Sequence, residues 1–385
     1  RSFGFQQIAT SAVEDLAVLL GKGGGENEKL IFKILKRGEQ LVKAQAEGTD
    51  VADLGLRFDL TLPLARYFSK HGGQLPSPFK AFHIGPVWRA ERAQKGRYRE
   101  FYQCDVDIIG SDSVSVEIDV ISAMLSAFKA FALEPTVVIN DRGLLLERLR
   151  RAGVSDDKIG AACIALDKLD KVDIAVVAAE LTEQGLPAGI LSATAAPDER
   201  LSGIVKAVNE LAGREAAQFS QNLVRGFDYY TGTVFEFRHP SLSGSLGGGG
   251  RYDRLTEKFG GKPIPACGGS IGFERLMLIL EEGAGAQAAG PDLCVTVFSD
   301  ELRAATMKLA AALRHEGLSV DVYPGSGKLK NQFKYADSKK ARYALVLGPD
   351  ELAAGKAKLK DLRSGEEQAH DASAAALVAA IRAGA

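Results

Sequence analysis

Trp88-Arg89-Ala90-Glu91-Arg92-Ala93-Gln94-Lys95-Gly96-Arg97-Tyr98-Arg99, followed at once by Phe101-Tyr102-Gln103-Cys104-Asp105-Val106-Asp107, is the stretch on which the fold turns. Residues 79–92 and 101–109 both alternate apolar and polar side chains, the period of a half-buried strand. Between them residues 93–99 are polar and include Gly96, so the spacing predicts an antiparallel hairpin with a basic tip. Five cations fall within eleven residues, in a chain whose Lys+Arg 48 and Asp+Glu 49 leave a formal net charge of -1. A guanidinium is a rigid fork of donors that matches phosphate oxygens, so a nucleotide or an RNA end is one reading of the tip. A solvated turn has the same composition, and composition alone favours it.

Outward from the hairpin, residues 30–35 and 54–60 also alternate as strands, residues 62–69 read as a helix, and residues 114–131 form an amphipathic helix. Residues 143–216 change character: Ala, Leu, Lys and Glu recur at helical spacing with few aromatics, as in a separate helical module. Strand character returns over 223–238. A glycine loop over 244–250, a helix over 252–259, and a strand turning into a helix over 268–280 follow. Residues 283–290, all Gly, Ala or Gln, read as a linker. Beyond it, strands over 293–298, 319–323 and 343–347 alternate with helices over 301–316 and 328–338, the pattern of a compact α/β domain. The whole is an α+β chain.

The 385 residues, 46% hydrophobic and 25% charged, suffice for two or three domains with real cores. Near-neutral charge excludes a chain held to nucleic acid by a diffuse positive field and leaves room for a local basic site. Cys104, Cys163, Cys267 and Cys294 lie far apart, and the five histidines show no ligand spacing. Neither a disulfide framework nor a protein-built metal site is expected, and a reducing cytoplasm fits. No apolar run approaches the ~20 residues that span a bilayer, so no membrane partner is expected. The opening Arg1-Ser2-Phe3-Gly4-Phe5, without an initiator Met, reads as a start inside an element.

Other segments could carry chemistry. Residues 223–236 place Arg225, Tyr229 and Tyr230 between strand-like flanks, which suits a small polar ligand or a half-buried strand whose tyrosines simply pack. Arg57-Phe58-Asp59-Leu60-Thr61 puts Asp59 and Thr61 on one face of a strand, where they could hold an amine or face solvent. Residues 247–250 permit close backbone approach but fit neither the dinucleotide fingerprint nor the Walker loop. Gly325-Ser326-Gly327-Lys328-Leu329 also fails, because Leu329 stands where Ser or Thr is required.

Taken in order, these segments resemble the histidyl-tRNA synthetases, a family of class II aminoacyl-tRNA synthetases. Residues 56–61 resemble the segment that binds the amino acid's amine, and residues 88–107 the second class II motif with its following strand. Residues 223–236 resemble the histidine-specific signature, Gly269-Ser270-Ile271-Gly272-Phe273-Glu274-Arg275-Leu276 the third class II motif, and residues 328–337 the anticodon-binding domain. The resemblance spans essentially the whole chain. It implies a class II antiparallel sheet flanked by helices over 1–143 and 217–282, a helical insertion over 144–216, a linker over 283–290 and an α/β anticodon-binding domain over 291–385.

It also implies the chemistry. Histidine attacks the α-phosphate of ATP, accompanied by Mg²⁺, to give histidyl-adenylate, and the acyl group then passes to the terminal adenosine of tRNA(His). Arg89 and Arg225 would be the catalytic pair on the α-phosphate, Arg89 also meeting the substrate carboxylate. Glu91, Arg97 and Arg275 would contact ATP. Asp59, Thr61 and Gln103 would take the α-amine, Asp107 and Tyr230 the imidazole, and Tyr229 and Tyr252 would line the pocket. Lys330, Lys334, Lys339 and Lys340, with Lys328 and Arg342, would meet the tRNA backbone, although a solvated helix face also explains that run. A homodimer is implied. The family carries a further segment ahead of Arg1, and Ser11-Ala12 stands where its first motif has a proline. The alternative from the same resemblance is a non-catalytic regulatory subunit of ATP phosphoribosyltransferase; such subunits typically lack the C-terminal domain and the catalytic arginines.

Overall fold

The alternation around residue 88 does form a hairpin, and it lies inside an eight-stranded sheet. The computed structural model describes residues 2–20, 26–92, 98–169, 172–224, 229–242, 244–283 and 290–383. The chain divides into two units, Arg1–Gly283 and Ala284–Ala385.

The first unit begins with β1 (Gln6–Gln7), β2 (Val13–Asp15), α1 (Leu16–Leu20), β3 (Lys33–Leu35), α2 (Glu39–Glu47), β4 (Ala52–Leu56), α3 (Thr61–His71), β5 (Phe79–Trp88) and β6 (Glu100–Ile109). It continues through α4 (Ser115–Lys129), β7 (Thr136–Asp141), α5 (Arg142–Arg151), α6 (Ile159–Leu166), α7 (Ile174–Glu183), α8 (Gly189–Ser192), α9 (Glu199–Ala212) and β8 (Ala217–Phe219). β9 (Thr233–Arg238), β10 (Ser245–Arg251), β11 (Ala266–Gly272) and α10 (Phe273–Gly283) complete it.

The large sheet runs β1-β5-β6-β11-β10-β9-β7-β8. Its six inner strands are antiparallel, while β1 and β8 join the two edges in parallel. Because successive side chains point to opposite faces, β6 feeds two cores: Ile108 packs with Met124, Phe128, Phe235 and Phe237, and Ile109 with Phe58, Leu64, Phe79 and Tyr252. α4 and α9 cover the first face. Phe128, Phe235 and Phe237 are fully buried there, each worth roughly 1.5–3 kcal/mol of transfer free energy. α3 and its neighbours cover the second.

Three expectations are corrected. The glycines over 244–250 form β10, a central strand, and not a loop. A Cβ on Gly249 would sit 2.0 Å from the Gly268 carbonyl oxygen and 2.7 Å from the Phe235 ring, so here the absence of side chains is a requirement of close strand approach. Asp59 and Thr61 do not share a strand: β4 ends at Leu56, Thr61 opens α3, and Asp59 Oδ1 accepts from the Leu62 N–H at 3.1 Å. Residues 252–259 hold only a short 3-10 turn, Leu255–Phe259, in place of a helix.

The helical stretch does not share one core. α5 to α8 bury Leu145, Leu149, Leu166, Val177, Leu181 and Ile190 among themselves. α9, capped by Asp198 accepting from the Leu201 N–H at 2.7 Å, instead buries Leu201, Ile204 and Val208 against α4 and the sheet.

The second unit contains β12 (Leu293–Val295), α11 (Arg303–His315), β13 (Val320–Val322), α12 (Leu329–Ser338), β14 (Tyr343–Val346), α13 (Pro349–Ala353), β15 (Lys356–Asp361), β16 (Glu367–Asp371) and α14 (Ala374–Ala383). Its sheet runs β13-β12-β14-β15-β16, with the first three strands parallel and the last two added antiparallel.

Candidate active site

A cleft of about 300 Å³ opens over β6, β10 and β11. Its floor is largely glycine backbone, from Gly247 and Gly248 on one strand and Gly268, Gly269 and Gly272 on the next. A Cβ on Gly268 would lie 1.8 Å from Asp107 Oδ1, so this glycine makes room for the acid paired with it across β6 and β11.

Six of the residues expected on the histidine side come together in the cleft. Asp59, Thr61, Gln103, Tyr229, Tyr230 and Tyr252 all line the cleft. Tyr229 lies 4.9 Å from Tyr230 and 6.0 Å from Tyr252, ring centre to ring centre, and it shares a hydrogen bond with Thr61. Asp107, expected at the ring, is not among the residues that line the cleft and stands behind this wall. It accepts from the Tyr252 hydroxyl and is buried at 2% exposure.

Sequence reasoning quoted Asp105 but gave it no role. It lines the cleft, is 2% exposed, and shares the face of β6 with Gln103 and Asp107; the period of two in Gln103-Cys104-Asp105-Val106-Asp107 was the signal that could have found it. Ser270 links these groups, accepting from Gln103 Nε2 at 2.9 Å and bonding to Asp105. Four buried acceptors therefore have no donor among the described residues: Asp59 Oδ2, Gln103 Oε1, Asp105 Oδ1 and Asp107 Oδ2.

Burial dominates the electrostatics. It raises the Asp59 carboxyl to about 6, against lowering by the Leu62 N–H bond and by Arg89. It raises Asp107 to about 7, against the Tyr252 bond and with the help of Asp59. Asp105 is raised by burial first and then by the charge of Asp107. A desolvated carboxylate gains most from a donor delivered with positive charge. Among the described residues no group of three His, Cys, Asp or Glu side chains is arranged to hold a metal ion.

Cations line the same cleft. Arg89 Nε donates to the Phe58 carbonyl at 3.0 Å, and its guanidinium lies 4.9 Å from the centre of the Phe101 ring. Arg275, at the start of α10, donates to the Ser245 carbonyl at 2.7 Å. Glu91 lines the same cleft. Glu274 Oε1 accepts from the Tyr102 N–H at 2.7 Å, tying α10 to β6. Arg97 and Arg225 lie outside the described residues.

In the second unit Lys330 and Lys334 are exposed and one turn apart on α12, followed by exposed Lys339 and Lys340. Lys339 Nζ lies 5.5 Å from the centre of the Tyr335 ring. Lys328 is exposed, whereas Arg342 is engaged with Asp361 at 3.9 Å.

A large sheet with an antiparallel six-stranded centre flanked by helices is the architecture of a class II aminoacyl-tRNA synthetase. The histidyl-tRNA synthetase family model matches residues 1–276, and an anticodon binding domain model matches residues 292–383. The chain is 35% identical over 425 residues to the histidine–tRNA ligase of Porphyromonas gingivalis, covering 98% of this chain and 92% of that protein. It is 41% identical over 340 residues to that of Leifsonia xyli subsp. xyli, covering 77% and 78%. The crystal structure of histidyl-tRNA synthetase from Nostoc sp. PCC 7120 superposes with a TM-score of 0.77 at 28% identity, over 100% of this chain and 92% of that one. The chain belongs to the histidyl-tRNA synthetase family.

Proposed function

We propose that this protein is a histidine–tRNA ligase, and the four buried acceptors, three in the cleft lining and one behind it, are the observation that carries the reading. Histidine with a neutral ring brings three ammonium N–H groups and one ring N–H, a donor set equal in number to the acceptors left by Asp59, Gln103, Asp105 and Asp107. A site built around such acceptors rejects amino acids without the ring N–H, because a buried acceptor would stay unpaired.

In the proposed reaction the histidine carboxylate oxygen attacks the α-phosphorus of ATP, forming the P–O bond of histidyl-adenylate and releasing pyrophosphate. A hydroxyl of the terminal adenosine of tRNA(His) then attacks the acyl carbon, and AMP leaves. Arg89 orients the carboxylate and the α-phosphate, with Arg225 as its partner, and the fixed guanidinium charge stabilises the extra negative charge of the transition state. Arg275, Glu91 and Arg97 hold the nucleotide; Mg²⁺ arrives with ATP, as part of that substrate. Asp59, Thr61 and Gln103 hold the ammonium, Asp107 and Tyr230 meet the ring, and Tyr229 and Tyr252 line the pocket. Lys330, Lys334, Lys339 and Lys340 meet the tRNA backbone from the anticodon-binding domain over 291–385. The catalytic domain comprises 1–143 and 217–282, with residues 144–216 inserted and residues 283–290 linking. The working form is a homodimer in the cytoplasm; among the described residues no helix is long and apolar enough to cross a membrane.

A regulatory subunit would bind histidine without charging tRNA. The retention of Arg89 and Arg275 in the cleft and the match of residues 292–383 to an anticodon binding domain favour the ligase. Incubating the protein with labelled histidine, ATP and a tRNA(His) transcript should yield acid-precipitable histidyl-tRNA with AMP formation. Histidine binding without charging would establish the regulatory reading instead.

A further inference from the structure

We infer that Arg148 is a positioning residue for histidine activation: from inside the helical insert it holds residues 221–224, whose Leu223 packs in the core of the cleft's tyrosine wall. This rests on the proposed ligase activity. Arg148, on α5, is among the largest fully buried side chains, at 1% exposure. Burial pushes its pKa down, and among the described residues no carboxylate pairs with it. A buried guanidinium without a counter-ion is costly, and an aliphatic residue would fill the α5–α8 core without that cost. What the guanidinium supplies is a planar fork able to serve several acceptors at once.

Those acceptors belong to two different parts of the chain. On one side Arg148 Nε donates to the Ala193 carbonyl at 2.8 Å, and one terminal nitrogen donates to the Ile190 carbonyl at 3.1 Å. On the other, its second terminal nitrogen donates to the Gln221 carbonyl at 2.7 Å and to Asn222 Oδ1 at 2.9 Å. Two further bonds close the same seam. Gln221 Oε1 accepts from the Ala195 N–H at 2.7 Å, and Asn140 Nδ2, on β7, donates to the Leu223 carbonyl at 2.9 Å. The next two side chains then part: Leu223 enters the core that holds Tyr229, Tyr230 and Tyr252, while Val224 packs on the α5–α8 core.

Residues 221–224 are thus the seam between the helical insert and the cleft core, and Arg225 is the next residue in sequence. Six residues beyond Leu223 the chain reaches Tyr229 and then Tyr230, both in the cleft wall. Leu223 shares its core with Tyr229, Tyr230 and Tyr252, so a displacement of the seam reaches the cleft wall through that packing, and small misplacements of reacting groups cost up to about 100-fold in rate.

The test uses the full chain, histidine-dependent ATP–pyrophosphate exchange, and thermal melting of each variant. Asn222→Ala removes one acceptor of the fork and leaves the bonds to Ala193 and Ile190 in place. It should melt within about 2 °C of wild type, lower kcat for exchange by about 10-fold, and leave KM for ATP within about twofold. Arg148→Met should lower kcat by about 10–100-fold, Arg148→Lys should recover only part of it, and combining Arg148→Met with Asn222→Ala should add little to the single change. Wild-type kcat in Asn222→Ala, or additive losses in the double variant, would overturn the inference and leave Arg148 as glue within the insert. Should Arg148→Met fail to fold, Asn222→Ala alone still decides. Absence of exchange in the wild-type protein would strike the ligase reading itself.

Discussion

Two groups of buried acid flank the same strands and behave in opposite ways. Glu117 of α4 is 0% exposed, yet both its oxygens are used: Arg251 Nε donates to Oε1 at 3.0 Å and a terminal nitrogen of Arg251 to Oε2 at 2.5 Å, while Arg200 and Thr233 also reach Oε1. Asp59, Asp105 and Asp107, on the cleft side, are as deeply buried and each keeps an oxygen with no donor among the described residues. The first arrangement closes on itself and ties α4, α9 and β10 together. The second is completed only when something brings donors into the cleft. Burial alone therefore does not mark a functional acid; a missing partner does.

The sharpest way to break this contrast is Glu117→Ala. Removing the carboxylate leaves the buried Arg251 guanidinium with only Asp253 and the Ser111 and Ser113 carbonyls, and a buried pair that loses one partner costs about 3–5 kcal/mol. Urea denaturation should show that loss; one below about 1 kcal/mol would mean the cluster is not the closed structural unit described.

Asp107→Asn should go the other way. The native carboxyl is raised to about 7 from an ordinary 3.8, so between about pH 4 and pH 7 the folded state holds a proton that the unfolded state has released. Stability of the ligand-free protein then falls as pH rises through that window, by an amount on the order of 2–4 kcal/mol. The amide variant should lack this part of the decline and melt above wild type at pH 8, with little difference at pH 4. Its KM for histidine should rise by about 10–100-fold, the worth of one hydrogen bond to a charged group. Identical pH profiles for variant and wild type would remove Asp107 from the unsatisfied class.

Exposed charge supplies a third, weaker case. Lys330 and Lys334 lie on the open face of α12, where solvent screens them. Replacing both by Ala should leave stability within about 0.5 kcal/mol. It should also reduce the slope of tRNA affinity against log salt by about two. An unchanged slope would assign this face to solvent.

The same contrast explains what was legible in the sequence. Strands β5, β6 and β11 and helix α4 announce themselves because one face of each is apolar at the right period. β10 does not, since Gly247 to Gly250 carry no side chains to show a period, and their role appears only when β11 lies against them. β15 was missed because Lys356, Lys358 and Lys360 conceal the inward alternation of Ala357 and Leu359. Family motifs led to Asp59, Gln103 and Asp107. The open Oδ1 of Asp105, like the engagement of Glu117 with Arg251 and the reach of Arg148 to residue 222, depends on contacts 70 or more residues apart, which no local pattern encodes.

The central claim is that the cleft's open acceptors select histidine for activation. Exchange of labelled pyrophosphate into ATP, measured with the full chain and each of the twenty amino acids in turn, tests it most directly. The account predicts exchange with histidine and background levels with the other nineteen, including glutamine and phenylalanine, which lack the ring N–H. Equal exchange with either of those, or none with histidine, would contradict it.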